Sequence, residues 1–418
     1  MAKQLEAKAI VEGGRKAVRL ENASVRAVIE AKGGMIPEFS LKLPEVALNA
    51  HWLPAWRPRQ AEPWSKEGLG AFYKGELLYH IAGDFPCSPN FGPDCLVDGV
   101  AHPAHGWTAQ GEWRIEGCGV EEAIAWARFT IDSPDPALPL SYEKLDMMIE
   151  GQPAIYSMLT IRNSGAGPVS INVARHTTLG APFLAKGCRI SLPADRFLAA
   201  PSGTEFDDTG RLAGGAEFAS LQKAPLRSGG TVDISHVPGL IGFTDLVTGA
   251  IPAGLALGWS CVVNPALNLA YVCFFPGAAG LPHGEIALSF NDLWMQYGGR
   301  RFTPWAETEG GVDRIFCLGT ENATGAFANG LGFARANPSL LGKPTLVEIP
   351  SGGERRLCYG NALLSLEGGR GDALVAEGVA AAEIGDGGEL VLKGRRASER
   401  YPLSADFAAL RRFAAEGR

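Results

Sequence analysis

The sequence predicts an all-β protein built as one large antiparallel β-sandwich. Three observations predict it. Apolar and polar residues alternate with period two along many short stretches, the repeat of a strand with one buried face. The 418 residues include 54 glycines and 28 prolines, a turn-rich composition below the range of low-complexity chains. Helical start and stop signals are few.

Residues 125–132 (AWARFTID) alternate cleanly, with aromatic and branched side chains suited to a pleated surface. Residues 144–150 and 154–162 flank the turn Gly151-Gln152-Pro153, a hairpin signal. A second turn, from Asn163 to Pro168, leads into residues 169–174 as a third strand, so the three read as a meander. Further strands are expected at residues 254–263, 268–275, 285–290, 314–318, 355–359, 373–376 and 389–393. The tail carries the best helical pattern: Ser404 can cap, Asp406 lies in the first turn, and Phe407, Leu410, Phe413 and Ala414 share a face. No internal repeat or long polar linker divides the chain. It reads as one sandwich with a cleft over residues 1–345. A strand-rich extension over 346–418 is expected to pack on the same unit and end in the short helix.

The net charge is −7 and only 20% of residues are charged. A mildly acidic surface repels phosphate backbones, so nucleic acid is not expected as a partner. The 46% hydrophobic content supports a sizeable core. Residues 246–284 contain no Asp, Glu, Lys or Arg, but Pro252, Asn264, Pro265, Asn268 and Pro276 interrupt the run. No piece reaches the ~20 apolar residues of a membrane span, so buried strands are expected there. No apolar leader follows Met1, and the eight cysteines include no C-x-x-C pair. Reduced thiols and a cytoplasmic protein, monomeric or homodimeric, follow as expectations.

Two stretches read as loops with a purpose: residues 49–64, holding Trp52, Trp56 and Trp64, and residues 80–107. Phosphate-loop, dinucleotide, zinc-protease and nucleophile-elbow motifs are all missing. His102 and His105 share a proline-containing loop without a further ligand at metal spacing. His105 precedes Gly106-Trp107, and His176 ends the third meander strand. Each could equally be a hydrogen-bonded structural residue. Glu321 follows the apolar run from Ile315 to Thr320, where a carboxylate is either an ion-paired structural group or a functional one. Asp84, between Gly83 and Phe85, could bind ligand hydroxyls or cap a turn. Trp52, Trp56, Trp107, Trp294 and Trp305 stand beside Gly, Pro or polar residues. Aromatic plates near carboxylates, amides and histidines are the lining a sugar needs, since sugars present both apolar C–H faces and hydroxyls. Arg300-Arg301 leave open an anionic group on the ligand.

With these residues in view, the chain resembles the galactose mutarotase-like (aldose 1-epimerase) superfamily. The stretch from Glu21 to Val25 with Gly33-Gly34 is similar to its opening strands and turn. The segment Gly83–Gly92 with Ala104-His105-Gly106-Trp107 and Trp113 is similar to its first active-site loop. Residues 159–184 resemble its strand, turn and H-x-x-x-G-x-P-F segment, and residues 317–324 the strand delivering its catalytic glutamate. Order and spacing agree over roughly residues 15–335. The N-x-x-N-H-x-Y-F-N pattern of true galactose mutarotases is absent around His176.

The resemblance implies a supersandwich with its cleft on one concave sheet face. It also implies catalytic roles for His105, His176 and Glu321, but shows no clear match to the family's sugar-contacting arginine or aspartate; Asp84, Asn90, Trp56, Trp107, Arg175 and Trp305 are the expected sugar contacts of this chain. The implied reaction interconverts α and β anomers of a small carbohydrate by acid–base ring opening, with no cofactor and no metal. The alternative is a non-catalytic carbohydrate-binding or regulatory protein on the same fold. A glycosidase needs two opposed carboxylates, and only Glu321 stands out.

Overall fold

Strands take 43% of the chain and helices 11%, as the alternation requires. The computed structural model describes residues 5–43, 47–204, 207–308, 314–368 and 371–416. Two eight-stranded antiparallel sheets face one another. The back sheet runs Arg189–Ser191, Leu257–Asn264, Leu269–Pro276, Glu354–Ser365, Ala154–Asn163, Leu140–Ile149, Ile124–Asp132, Arg114–Glu121. The front sheet runs Glu217–Phe218, Phe197–Ala199, Phe243–Ala250, Phe290–Tyr297, Phe316–Ala323, Ala174–Arg175, Pro86–Cys87. Thr178–Gly180 also pairs with Phe316–Ala323. A five-stranded N-terminal sheet, from Glu6 to Asn49, adds Val18, Leu20, Ile29 and Phe39 to the core between the sheets.

Period-two geometry decides what each face holds. On the front sheet Val247, Leu293, Met295, Tyr297 and Leu318 point into the inter-sheet core, where Tyr271, Phe275, Leu357 and Tyr359 of the back sheet meet them. The opposite face of the back sheet carries Met147, Tyr156, Trp259, Phe274 and Cys358. It is covered in turn by Leu374, Leu390, Leu392, Phe407, Leu410 and Phe413 of the C-terminal part. The central strands are therefore buried on both faces, which explains the charge-free run at 246–284.

The hairpin Leu140–Ile149 and Ala154–Asn163 forms as expected. The third strand does not complete a meander. Val169–Ile171 pairs with Val347–Ile349, and the chain then crosses to the front sheet at Ala174–Arg175. This crossing carries His176 to the front sheet. Residues 373–376 are helical within Gly371–Glu377, because so short an apolar run fits either period and one buried Leu374 suffices to seat it. The strand expected at 285–290 starts only at Phe290.

Glu354–Ser365 lies inside the back sheet, between its two neighbours. The sandwich thus extends past the boundary expected at 345, since this strand fills the gap its partners leave. The extension proper is a three-stranded sheet (Ala381–Ile384, Leu390–Lys393, Ser398–Tyr401) with flanking helices. Its last helix, Ala408–Ala415, has Phe407 at the N-cap, and Asp406 Oδ1 accepts the Ala408 N–H at 3.1 Å. All eight cysteines are free thiols. No helix among the described residues is long and apolar enough to cross a membrane.

Candidate functional site

On the outer face of the front sheet, four polar side chains stand in one cross-strand row. Thr248 pairs with Asp292, and Asp292 pairs with Glu321. The ladder on the far side of Glu321 continues through the Thr320 N–H bond to Thr177 O at 2.8 Å, which brings His176 opposite Glu321. Beyond it the His176 N–H donates to Phe85 O at 2.9 Å. Directly opposed residues have Cβ atoms roughly 4.5–5.5 Å apart, so each side chain meets the next.

His176 Nε2 lies 3.4 Å from Glu321 Oε1, and its Nδ1 is 3.2 Å from Thr178 Oγ1. The Phe85 ring stacks on the imidazole at 4.6 Å between centroids. His105 stands edge-on to His176 at 5.1 Å. Thr248 Oγ1 donates to Asp292 Oδ1. Two small-residue features make room. Gly319 leaves the space a Cβ would occupy only 2.6 Å from Glu321 Oε1. Gly106, at φ 80°, lets the turn behind His105 pass Ser88 O, which a Cβ would meet at 2.1 Å. His105 itself is left-handed at φ 57°, a conformation uncommon for a side-chain-bearing residue.

Burial sets the proton inventory. Glu321 and His176 are only 2% and 4% exposed, whereas His105 is half-buried. Burial pushes the Glu321 carboxyl well above the usual carboxylate range, and Asp292 across the ladder pushes the same way. Burial likewise raises Asp292. His176 is pulled down to about 4 by burial, and His105 falls well below 6.5 through burial and the neighbouring His176. At neutral pH the two imidazoles are therefore neutral, and both carboxyls are biased towards their protonated forms. Glu321 Oε2, Asp292 Oδ2 and His105 Nδ1 are buried without a hydrogen-bond partner, acceptors or donors that ligand hydroxyls would satisfy.

His105, His176 and Glu321 are thus brought together; most of the expected sugar contacts are not. Asp84 and Arg175 precede Phe85 and His176 by one residue, so period two turns them into the inter-sheet core. There they form an ion pair, 0% and 1% exposed on their side chains. Thr177 Oγ1 and Asn361 Nδ2 donate to Asp84 at 3.2 and 2.9 Å. Burial favours the neutral acid, but the Arg175 guanidinium outweighs it and holds Asp84 below its ordinary value. Asn90 is a loop pin: its Nδ2 donates to the Pro93 and Pro103 carbonyls, and its Oδ1 accepts from Leu331 N–H.

Trp107 is buried and stacks on His102 at 5.8 Å. Trp56 and Trp305 pack with Trp52 in a buried aromatic cluster. The Arg300 guanidinium lies 4.4 Å from the Trp305 ring centroid, so it faces aromatic rings. Trp294 is the tryptophan beside the row, partly exposed and 6.1 Å from His176.

Sequence reasoning missed Asp292 and Thr248. The signal was there: Phe290, Asp292, Trp294 and Gln296 alternate along one strand and so share a face. A groove of about 370 Å³ on the N-terminal sheet, lined by Arg15, Glu30, Arg57 and Arg59 among others, shares no lining residue with the row. Among the described residues no group of three or more His, Cys, Asp or Glu is placed to hold a metal ion.

No protein-family model matches the sequence, and no curated protein matches it. Solved structures do. A candidate aldose 1-epimerase from Klebsiella pneumoniae superposes with a TM-score of 0.61 at 14% identity, covering 89% of this chain and 85% of that one. A galactose mutarotase-like protein from Clostridium acetobutylicum gives 0.57 at 11% identity, covering 87% and 99%. A galactose mutarotase-related enzyme from Lactobacillus acidophilus gives 0.51 at 11% identity, covering 84% and 97%. With its facing antiparallel sheets and these neighbours, the chain has the galactose mutarotase-like fold.

Proposed function

We propose that the chain is a mutarotase, interconverting the α and β anomers of an aldose or aldose derivative. The observation that carries this reading is the His176–Glu321 pair, 3.4 Å apart, with His105 beside it. Ring opening removes the O1 proton, breaks the C1–O5 bond and delivers a proton to O5. The open aldehyde then recloses on either face. One base and one acid suffice.

In the free protein the proton rests on Glu321. Its transfer to His176 Nε2 leaves a carboxylate facing the anomeric hydroxyl and an imidazolium to protonate the ring oxygen. The pair holds one proton throughout, so each half-reaction returns it. His105 shares the acid role or orients the ring oxygen. Asp84 and Arg175, turned into the inter-sheet core, take no part in this reading. The site lies on the front-sheet face near Trp294, which offers an apolar plate to the sugar.

A second reading, sugar binding without turnover, is favoured by one observation: His176 and Glu321 are 4% and 2% exposed. Anomer exchange followed by NMR on a panel of aldoses and aldose phosphates separates the two. Acceleration by the wild type that is lost in Glu321→Gln supports the mutarotase. Sugar binding with no acceleration for any member supports the binding protein.

A further inference from the structure

Two carboxyl groups face each other across adjacent strands at the centre of the row. Asp292 and Glu321 are a directly opposed pair in the antiparallel ladder, so their side chains leave the same face of the sheet. Both are buried. Each keeps one carboxyl oxygen without a hydrogen-bond partner. No lysine or arginine among the described residues forms an ion pair with either. Their fixed neighbours differ. Glu321 faces the His176 imidazole, whereas Asp292 receives the Thr248 hydroxyl and lies beside the Phe327 backbone amide. Phe327 holds that amide in a left-handed conformation, φ 60°, followed by Ala328 at 48°. Two consecutive non-glycine residues in this region are a strained backbone, the kind that persists where surrounding structure over-determines it.

We infer that Asp292, anchored by Thr248, is a positioning residue that holds the proton on Glu321 until His176 takes it. Two carboxyls on directly opposed positions of a buried sheet face cannot both ionise freely. The hydrogen bond donated by the Thr248 hydroxyl stabilises the ionised form of Asp292, so Asp292 loses its proton before Glu321. Its charge then opposes ionisation of Glu321. The remaining proton stays on Glu321, on the side facing His176 Nε2. Transfer to the imidazole creates the carboxylate beside an imidazolium, which compensates the second negative charge. Asp292 thereby couples ionisation of Glu321 to protonation of His176 and disfavours loss of the proton to solvent.

The titratable and charged groups facing this pair come from every element packed on it: His176 in the row, Cys87 opposite Ala174 in the neighbouring row, His105 from the adjoining loop, and Arg300 over Trp294. The first three are neutral at neutral pH. Arg300 faces the Trp294, Phe302 and Trp305 rings. Among these groups Asp292 is the one carboxyl directly opposed to Glu321 in the ladder.

The inference uses the proposed anomer exchange only for what Glu321 does in turnover; the proton-holding itself is testable without any sugar. Protein labelled with ¹³C at the glutamate side-chain carboxyls, with Glu321 assigned by its loss in Glu321→Gln, gives the Glu321 titration directly. Asp292→Asn should move its midpoint to lower pH by about one unit or more, a roughly tenfold loss of proton affinity. Thr248→Val, a milder change, should move it the same way by less, and Thr248→Ser should leave it in place. A second readout is the pH profile of exchange, whose high-pH limb should move down with the Glu321 midpoint. An unchanged or raised midpoint in both Asp292→Asn and Thr248→Val overturns the inference, even if either variant weakens sugar binding. Should the wild type accelerate exchange of no sugar while the midpoint moves as expected, the mutarotase reading fails and the carboxyl coupling stands.

Discussion

The imidazole of His105 meets that of His176 edge-on, centroids 5.1 Å apart and planes at 89°, although His105 is the N-cap of the helix Gly106–Gln110 and His176 follows the strand Ala174–Arg175, far apart in sequence. Phe85 stacks flat on His176 and Thr178 Oγ1 lies 3.2 Å from its Nδ1, which together favour the orientation that presents Nε2 to Glu321. Replacing either histidine by Asn should lower anomer exchange about 10²–10⁴-fold, the range for losing a positioned acid. Thermal unfolding should move little, since no structural ion pair depends on either ring. Exchange rates and melting curves on the same samples check both halves.

Stability against pH separates His176 from Glu321 by sign. His176 titrates at about 4 in the folded state against about 6.5 unfolded. Between those values the unfolded chain binds more protons, so this group costs stability as pH falls through 6.5 towards 4. The loss is of order 3 kcal/mol at full development. Glu321 is raised, so here the folded state binds more protons. Its contribution is present at acid pH and is lost as pH rises above about 4.5. Urea midpoints from pH 4 to 8 should show His176→Asn gaining on wild type towards acid, and Glu321→Gln gaining towards neutral.

Arg175 and Asp84 test a structural role against a substrate role. Both sit between the sheets, with Arg175 also 5.3 Å over the Tyr359 ring. Removing one partner of a buried pair leaves an uncompensated charge and costs about 3–5 kcal/mol. Asp84→Asn and Arg175→Met should each lose that much, while the double variant should lose less than the sum. The apparent KM for sugar should stay within about twofold, a change below ~0.5 kcal/mol. A large KM effect in folded Asp84→Asn would return this pair to the binding site.

Much of the fold was legible because the physics is local. Alternation marked the hairpin around Gly151-Gln152-Pro153 and the buried strands at Leu257–Asn264 and Leu269–Pro276. The site was half legible. His105, His176 and Glu321 converge, but Asp84 and Arg175 were grouped with their sequence neighbours Phe85 and His176. Adjacent residues on a strand point to opposite faces, so His176 and Arg175 cannot share a cleft. Applying that rule to the strand itself would have turned Arg175 inward. Asp292 was hidden for a different reason. The expected strand stopped at residue 290, where the actual strand begins, and its pairing with Glu321 is a long-range fact that no local pattern carries.

The C-terminal extension gives the last prediction. Phe407 is fully buried against the outer face of the back sheet, its ring 5.4 Å from Phe274 and 6.2 Å from Tyr156. Leu410 is buried one turn further along the same helix. Phe→Ala and Leu→Ala changes in a core cost about 3–5 and 2–5 kcal/mol through lost transfer energy and the cavity left behind. Against a total of roughly 5–15 kcal/mol for a folded domain, the two together should approach global unfolding at 25 °C. Phe407 also holds a left-handed backbone, φ 57°, so Phe407→Gly should lose less than its missing side chain implies, because glycine adopts that conformation without strain. Each single variant, while folded, should exchange anomers at the wild-type rate, since the helix lies on the far side of the sandwich from Glu321. Urea unfolding monitored by tryptophan fluorescence gives the stabilities. A single variant that stays folded yet loses exchange would mean that the extension reaches the site through the back sheet.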